Sequence, residues 1–194
     1  VKLVLASASP RRKELLAQIG VRFDVNAVDI CEDVLPGESP VPYVTRVALA
    51  KAEAGYALAK PQQVVLGADT TVILDGNIIG KPQNQADAVN MLMSLSGRTH
   101  QVITAVALVG SEQTHSFVVT TDVTFRTLSR EECELYWATG EPADKAGSYG
   151  IQGLGAIFVD HINGSYSSVV GLPLSETAEL LKVADIEIWH TEEM

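Results

Sequence analysis

Apolar positions along this chain alternate between strand-like runs and helix-like stripes. Val1 to Ser7 is a continuous apolar run of strand length, followed by Ser9 and Pro10, an N-cap residue and a proline suited to a first helical turn. Leu15, Leu16 and Ile19 stripe the helix that follows, and Gly20 marks its end. Arg22 to Val28 alternates weakly, as a short strand does. Glu32 to Pro42 reads as an acidic, proline-bearing loop, and a long helix is predicted from about Pro42 to Leu58. Val64 to Leu74 is the strongest predicted strand, and Asp75-Gly76 turns it into a hairpin with Ile78 and Ile79. A helix over Gln85 to Leu95 ends at Gly97. Gln101 to Val109 and Ser116 to Leu128 read as two long strands close enough in sequence for an antiparallel pair. Ser129-Arg130-Glu131-Glu132 is a capping-box pattern that opens another helix. A glycine-rich loop over 140 to 155, a strand over 156 to 162 and a last helix over 174 to 184 complete the pattern. Strands and helices mix without strict alternation, which predicts an α/β fold with a mixed sheet and flanking helices.

Length and composition narrow the class. The 194 residues suit one domain, with room for two lobes around a cleft, and no repeat, low-complexity segment or Gly/Ser linker divides them. No stretch approaches the roughly 20 apolar residues of a membrane span. The opening run reads as a buried strand rather than a signal peptide. Cys31 and Cys133, far apart and without zinc spacing, predict inert thiols in a reducing cytoplasm. The net charge of −10 opposes binding to nucleic-acid polymers or anionic membranes, so any local cluster of cations is informative.

Such a cluster opens the first helix. Arg11, Arg12 and Lys13 occupy its first turn, where the helix dipole disfavours cations. Either they form a solvated basic turn, or a polyphosphate is bound by helix amides, serine hydroxyls and guanidinium forks. No Walker loop occurs. In Gly67-Ala68-Asp69-Thr70-Thr71 a carboxylate stands inside an apolar strand. It must be paired, hydrogen-bonded or on a metal, in a structural or a catalytic role. Gly67 beside it signals a bulge or a close backbone approach. Lys51, Lys81 and Lys145 are surface lysines when taken singly. Together with Glu32 and Asp69 they meet the needs of phosphoanhydride cleavage, with carboxylates for a divalent cation and water and cations for the phosphate oxygens. Gly147 to Gly155 is either a flexible surface loop or a backbone that approaches a ligand closely, with Gln152 able to donate and accept. Histidines 100, 115, 161 and 190 show no ligand spacing and read as structural or exposed.

In this order, these motifs resemble the Maf family of nucleoside triphosphate pyrophosphatases from Ser7 to about Leu181. The likeness rests on Ser7-Ala8-Ser9-Pro10-Arg11-Arg12, Gly67-Ala68-Asp69-Thr70, Gly80-Lys81-Pro82, Leu95-Ser96-Gly97-Arg98-Thr99-His100, Lys145 to Gly153, and Val170-Gly171-Leu172-Pro173. It implies an inosine-triphosphatase-like α/β fold of the Maf/Ham1 type, an elongated mixed sheet with two lobes around a cleft, as one domain over 1–194. It also implies hydrolysis of the α–β phosphoanhydride to a nucleoside monophosphate and pyrophosphate. By position, Asp69 is the proton acceptor or a metal ligand and Glu32 the second carboxylate, both holding Mg or Mn. Ser7, Arg12, Lys51 and Lys81 grip the triphosphate, and Lys145 belongs to the substrate-binding set. Arg11, Thr70 and Gln152 match the dTTP/UTP branch, whereas the sister branch acting on 7-methyl-GTP carries Trp, Gln and Glu there. A cationic methylated base favours an aromatic face and a carboxylate, and a neutral pyrimidine edge suits an amide. Cys31 and Ala50 stand where many relatives have acids. The family also implies a homodimer and supplies two alternatives, 7-methyl-GTP hydrolysis and a nucleotide-binding regulator of septum formation.

Overall fold

The computed structural model describes residues 1–190, so the last four positions of the domain expected over 1–194 lie outside the described residues. The strands are β1 (Lys2–Leu5), β2 (Phe23–Val25), β3 (Gln63–Leu74), β4 (Asn77–Ile79), β5 (Thr99–Val109), β6 (Thr114–Phe125) and β7 (Val159–Asn163). They form one sheet in the order β2-β1-β3-β5-β6-β7, with β4 paired to β3. Helices α1 (Pro10–Gln18), α2 (Pro40–Tyr56), α3 (Gln85–Leu95), α4 (Arg130–Ala138), α5 (Tyr166–Val170) and α6 (Leu174–Val183) accompany it. The sheet is mixed, as expected: β1 runs parallel to β2 and β3, while β4 and β7 run antiparallel to β3 and β6. No helix of the described residues is long and apolar enough to cross a membrane.

Two compact units make up the chain. The first comprises Val1–Asp69, Thr104–Val119 and the segment from Gly171 onward; the second comprises Thr70–Ile103 and Thr120–Val170. In the first unit, Leu3, Val4 and Leu5 register with Val64, Val65 and Leu66. Val4, Ala6 and Val65 form an apolar cluster against which Val28, Tyr56 and Ala59 pack. Gly55 and Gly67 bring α2 close to these strands. A Cβ on Gly55 would meet Val65 and Ala6, and one on Gly67 would collide with the Ala48 carbonyl and lie 2.6 Å from the Ala52 amide nitrogen.

In the second unit, local signals set the element ends. Asp75 and Gly76 take positive φ of 50° and 78°, the conformation a tight right-twisted hairpin requires. Asn84 accepts from the Asp87 amide at the start of α3, and Ser129 and Glu132 complete the expected capping box of α4. Its interior is aromatic. Phe125 packs edge-on against His100 and Tyr149, and Phe158 packs against Phe125 and Tyr136.

Two expectations are corrected, and one further element is found. The glycine-rich stretch is not one open loop: it contains 3₁₀ turns at Glu141–Asp144, Ala146–Ser148 and Leu154–Phe158, and Gly147, Tyr149, Gly150 and Ile151 are buried. The last of these turns displaces the strand expected over 156 to 162 to β7 at Val159–Asn163. Helix α5 is too short to leave a periodic signal and went unread. The other elements lie within a few residues of their expected bounds.

Candidate active site

Two parallel strands of the first unit, β1 and β2, end level with each other, beside a third, β3, that continues past them. Leu5 registers with both Val25 and Leu66, so the segments after β1 and after β2 leave the sheet at the level where β3 runs on past Leu66 to Asp69. Carboxyl ends of parallel strands are where open α/β sheets place ligand sites. These segments carry Glu32, Ser7 with the start of α1, and Asp69.

Helix α2 joins them. Lys51 Nζ, on that helix, lies 2.9 Å from Asp69 Oδ1 and 2.9 Å from Glu32 Oε1. Gly67 is the reason Lys51 can reach: without a Cβ at this point the strand lies against the α2 backbone between Ala48 and Ala52, one residue from Lys51. The close approach expected at Gly67 is therefore to a helix. Asp69 is 6% exposed. Burial raises its carboxyl pKa and the Glu32 charge adds to that, while Lys51 and Arg12 act the other way; the net direction is up. Glu32 is the solvent-facing member, with its side chain 44% exposed. Its backbone carbonyl accepts from the Tyr43 hydroxyl at 3.0 Å, which ties the acidic loop to α2. Tyr43 is itself pushed up to about 12 by burial and by the charges of Asp69 and Glu32.

The first turn of α1 brings the second cation. Arg12 Nε donates to the Gly171 carbonyl at 2.8 Å and Nη1 to Ser7 Oγ at 3.4 Å. Burial lowers the guanidinium pKa, whereas the Asp69 and Glu32 charges raise it, so Arg12 stands within their field. Ser9 precedes the helix as expected, but its side chain makes no cap bond; its amide donates to Ser7 Oγ at 3.2 Å instead. The basic start of α1 is thus not simply a solvated turn. Arg12 is directed inward, and Arg11 is half-buried beside it. Two cations and two carboxylates make the group electrically balanced, and a polyphosphate entering it meets cations already oriented.

The second unit holds the remaining expected residues. Thr70 follows Asp69 on β3, half-buried, and Lys81 is exposed in the segment after β4. The Gly147 amide donates to the Gly80 carbonyl at 3.1 Å, joining the Gly80-Lys81-Pro82 motif to the Lys145–Gly153 motif. Lys145 Nζ is engaged within its own loop, with the Glu141 carbonyl at 2.8 Å and Asp144 Oδ1 at 2.9 Å. Gln152 is exposed. The glycines read as room for a ligand face protein: a Cβ on Gly147 would press on Val72, on Gly150 on Lys145, on Gly153 on Glu141, and on Gly155 on the Tyr136 hydroxyl. The Leu95–His100 motif makes its hydrogen bonds inside the second unit. Arg98 Nη2 pairs with both Asp75 oxygens at 2.6 and 2.9 Å, and Ser96 Oγ accepts from the Leu128 amide at 2.7 Å.

Four residues in supporting positions escaped the sequence reading: Tyr43, Gly171, Tyr136 and Glu141. Gly171 lies within Val170-Gly171-Leu172-Pro173, but the use of its carbonyl is a long-range contact that no local pattern announces. Both cysteines are free, Cys31 exposed and Cys133 buried, with burial pushing the Cys133 thiol up.

The donor chemistry suits a hard divalent cation of the kind expected at Glu32 and Asp69. Their oxygens converge on one ammonium, each at 2.9 Å, and so already border a shared position for positive charge. No group of three or more His, Cys, Asp or Glu side chains able to hold a metal occurs among the described residues. Two carboxylates are the number that Mg²⁺ commonly takes when substrate phosphates and water complete its shell.

Comparison with known proteins agrees with the motif order. A family model described as Maf-like protein matches residues 2–184. A protein of Vibrio parahaemolyticus serotype O3:K6 named dTTP/UTP pyrophosphatase is 59% identical over 182 residues, covering 94% of this chain and 96% of that one. Proteins of the same name from Pseudoalteromonas translucida and Saccharophagus degradans are 55% and 53% identical, covering 92% and 97% of this chain and 94% and 91% of theirs. Among solved structures, the Staphylococcus aureus Ham1 protein aligns with a TM-score of 0.44 at 19% identity, over 64% of this chain and 72% of that one. A nucleoside-triphosphatase / dITP/XTP pyrophosphatase from Mycobacterium abscessus aligns at 0.45 and 17%, over 94% of each chain. The sequence from Lys2 to Ala184, which carries both the Lys51 cluster and the glycine-rich loop, belongs to the Maf family.

Proposed function

We propose that this protein hydrolyses dTTP and UTP to the nucleoside monophosphate and pyrophosphate. The observation that carries the chemistry is the first-unit cluster in which Lys51 bridges Asp69 and Glu32 while Arg12 lies in their field. The names of relatives more than 50% identical support the substrate class. Arg11, Thr70 and Gln152, the three residues of the pyrimidine branch, support the choice of base.

Water attacks the α-phosphorus, the bond from that phosphorus to the bridging oxygen breaks, and pyrophosphate leaves with the bond's electron pair. Asp69, ionised, takes the proton from the attacking water; its raised pKa makes it a stronger base than an exposed aspartate. Arg12 and Lys51 counter the charge that develops on the departing oxygens, and Ser7 orients Arg12. We assign Lys81 and Lys145 to the polyphosphate as well. Glu32 and Asp69 are the residues that would hold Mg or Mn. Such an ion supplies charge neutralisation and a more acidic water when bound. A protein that only bound nucleotide would need the cations more than the carboxylates, and both carboxylates are present.

We further assign the two units to one functional domain, supported by a family model that runs through both. The cytoplasm is its compartment, supported by the free thiols. The homodimer rests on the resemblance alone. The test is incubation with dTTP, UTP, CTP and 7-methyl-GTP in the presence of Mg²⁺ or Mn²⁺, with product identification. Pyrophosphate released fastest from dTTP and UTP is expected. Release of orthophosphate, or 7-methyl-GTP as best substrate, would overturn the assignment.

A further inference from the structure

Gln152 stands in a turn held by a hydrogen-bond network around Glu141 and Tyr136. The chain turns at Gly150–Gly153, where the Gly153 amide donates to the Gly150 carbonyl at 3.2 Å, and Gln152 stands exposed within that turn. Both ends of the turn are held. On one side the Gly150 amide donates to the Tyr136 hydroxyl oxygen at 3.1 Å. On the other, the Leu154 amide donates to Glu141 Oε2 at 2.9 Å and the Gly155 amide to Glu141 Oε1 at 3.0 Å. Tyr136 and Glu141 are themselves joined, the hydroxyl donating to Oε1 at 2.6 Å. The Glu141 carbonyl accepts from Lys145 Nζ at 2.8 Å.

The glycines follow from this arrangement. A Cβ at Gly153 would overlap the Glu141 carboxylate, and one at Gly155 would lie 2.7 Å from the Tyr136 oxygen. The loop is wrapped around one carboxylate. Burial works against the charged form of Glu141, yet the Tyr136 hydroxyl and the Leu154 and Gly155 amides outweigh it and hold its pKa below the ordinary value. An ionised acceptor makes such bonds short and strong.

We propose that Glu141, with Tyr136, is the positioning residue for pyrimidine selection, fixing the Gly150–Gly155 turn so that Gln152 meets the base in one geometry. The proposal rests on the assignment of Gln152 to the base made above. Glu141 touches neither substrate nor reacting atoms in this scheme; it acts through the loop. Its loss therefore loosens base recognition while sparing the Lys51, Asp69 and Glu32 chemistry.

The test compares wild type with Glu141→Ala, Glu141→Gln and Tyr136→Phe in two measurements. Hydrogen exchange without nucleotide reads the loop directly: amides of residues 150–155 should exchange faster in Glu141→Ala and Tyr136→Phe. Steady-state kinetics on dTTP, UTP, GTP and CTP read selection. For Glu141→Ala, KM for dTTP and UTP should rise on the order of 10-fold with kcat changed much less, and the preference for them over GTP should narrow. Glu141→Gln, which keeps an acceptor oxygen, should fall between Ala and wild type. If Glu141→Ala fails to fold, the Gln and Phe variants carry the comparison. Unchanged exchange at 150–155, or an unchanged KM and preference in variants of a wild type that does hydrolyse dTTP, overturns the proposal. A wild type without dTTP or UTP turnover overturns the substrate assignment instead, and the exchange measurement still decides whether Glu141 holds the loop.

Discussion

Lys51 and Asp69 meet at 2.9 Å because Gly67, two residues before the aspartate, lets β3 lie against the backbone of α2. The pair is buried, with side chains 11% and 9% exposed, so each charge depends on the other. Asp69→Asn removes the proton acceptor and should lower kcat/KM roughly 10²- to 10⁴-fold. Lys51→Met should cost about 10²- to 10³-fold through lost charge stabilisation. Glu32→Gln, altering the more exposed carboxylate, should cost less than Asp69→Asn. Initial rates of pyrophosphate release check these values, with circular dichroism to verify folding.

The same pair sets a pH signature. Asp69 must be ionised to act, and burial raises its pKa above the ordinary 3.8. Activity should therefore fall as pH drops through a limb that lies above the usual aspartate range. Lys51 works against that rise, so removing its charge must move the limb further upward. The residual activity of Lys51→Met should show this displacement, and Lys51→Arg, which keeps a cation, should not. Profiles of kcat/KM against pH for the three proteins decide the matter; coincident limbs would remove Asp69 as the titrating group.

Gly67 carries a prediction of its own. Gly67→Ala inserts a methyl group into the Ala48 carbonyl and the Ala52 amide, which are backbone atoms and cannot rotate away. Helix and strand must separate, at a cost of about 1–3 kcal/mol, or about 2–4 °C in Tm for each kcal/mol in a chain of this length. Separation also lengthens the reach from Lys51 to Asp69, so turnover should fall with stability. A thermal melt and a dTTP assay on the same preparation test both halves. A variant that melts like wild type would show that the close approach is not needed.

Local chemistry wrote much of the fold into the sequence. The Asp75-Gly76 turn, the Asn84 and Ser129 caps and the Gly97 stop act within four or five residues, and the structure keeps each of them. The first-unit cluster was legible as residue types: a carboxylate inside an apolar strand and cations at a helix start both violate local preference. What could not be read is which group each one meets. Arg12 to Gly171 spans 159 residues and Lys51 to Asp69 spans 18, and both depend on strand register and helix approach. The glycine-rich stretch departs from its expected open loop for a related reason. Its glycines give room, but what fills it, Glu141 and Tyr136, is decided by tertiary packing.

His100 tests the second unit independently of catalysis. It is 2% exposed among Phe125 and Tyr149, its Nε2 shares a 2.7 Å hydrogen bond with the Tyr149 hydroxyl, and its Nδ1 has no hydrogen-bond partner among the described residues. Protonation would place a charge among aromatic rings, and burial accordingly lowers its pKa from 6.5 to about 4. In that interval the unfolded chain binds a proton that the folded chain refuses. By linkage, stability then rises with pH: the contribution is fully present above 6.5 and lost as pH falls toward about 4. The interval corresponds to about 3 kcal/mol at its full extent. His100→Gln retains a polar partner for Tyr149 but does not titrate, so its stability should lack this slope. Urea denaturation of both proteins from pH 7.5 down toward pH 4 gives the difference directly, since other titrating groups are common to the two. A constant difference across that range would mean that His100 is protonated as readily in the folded chain as in the unfolded one.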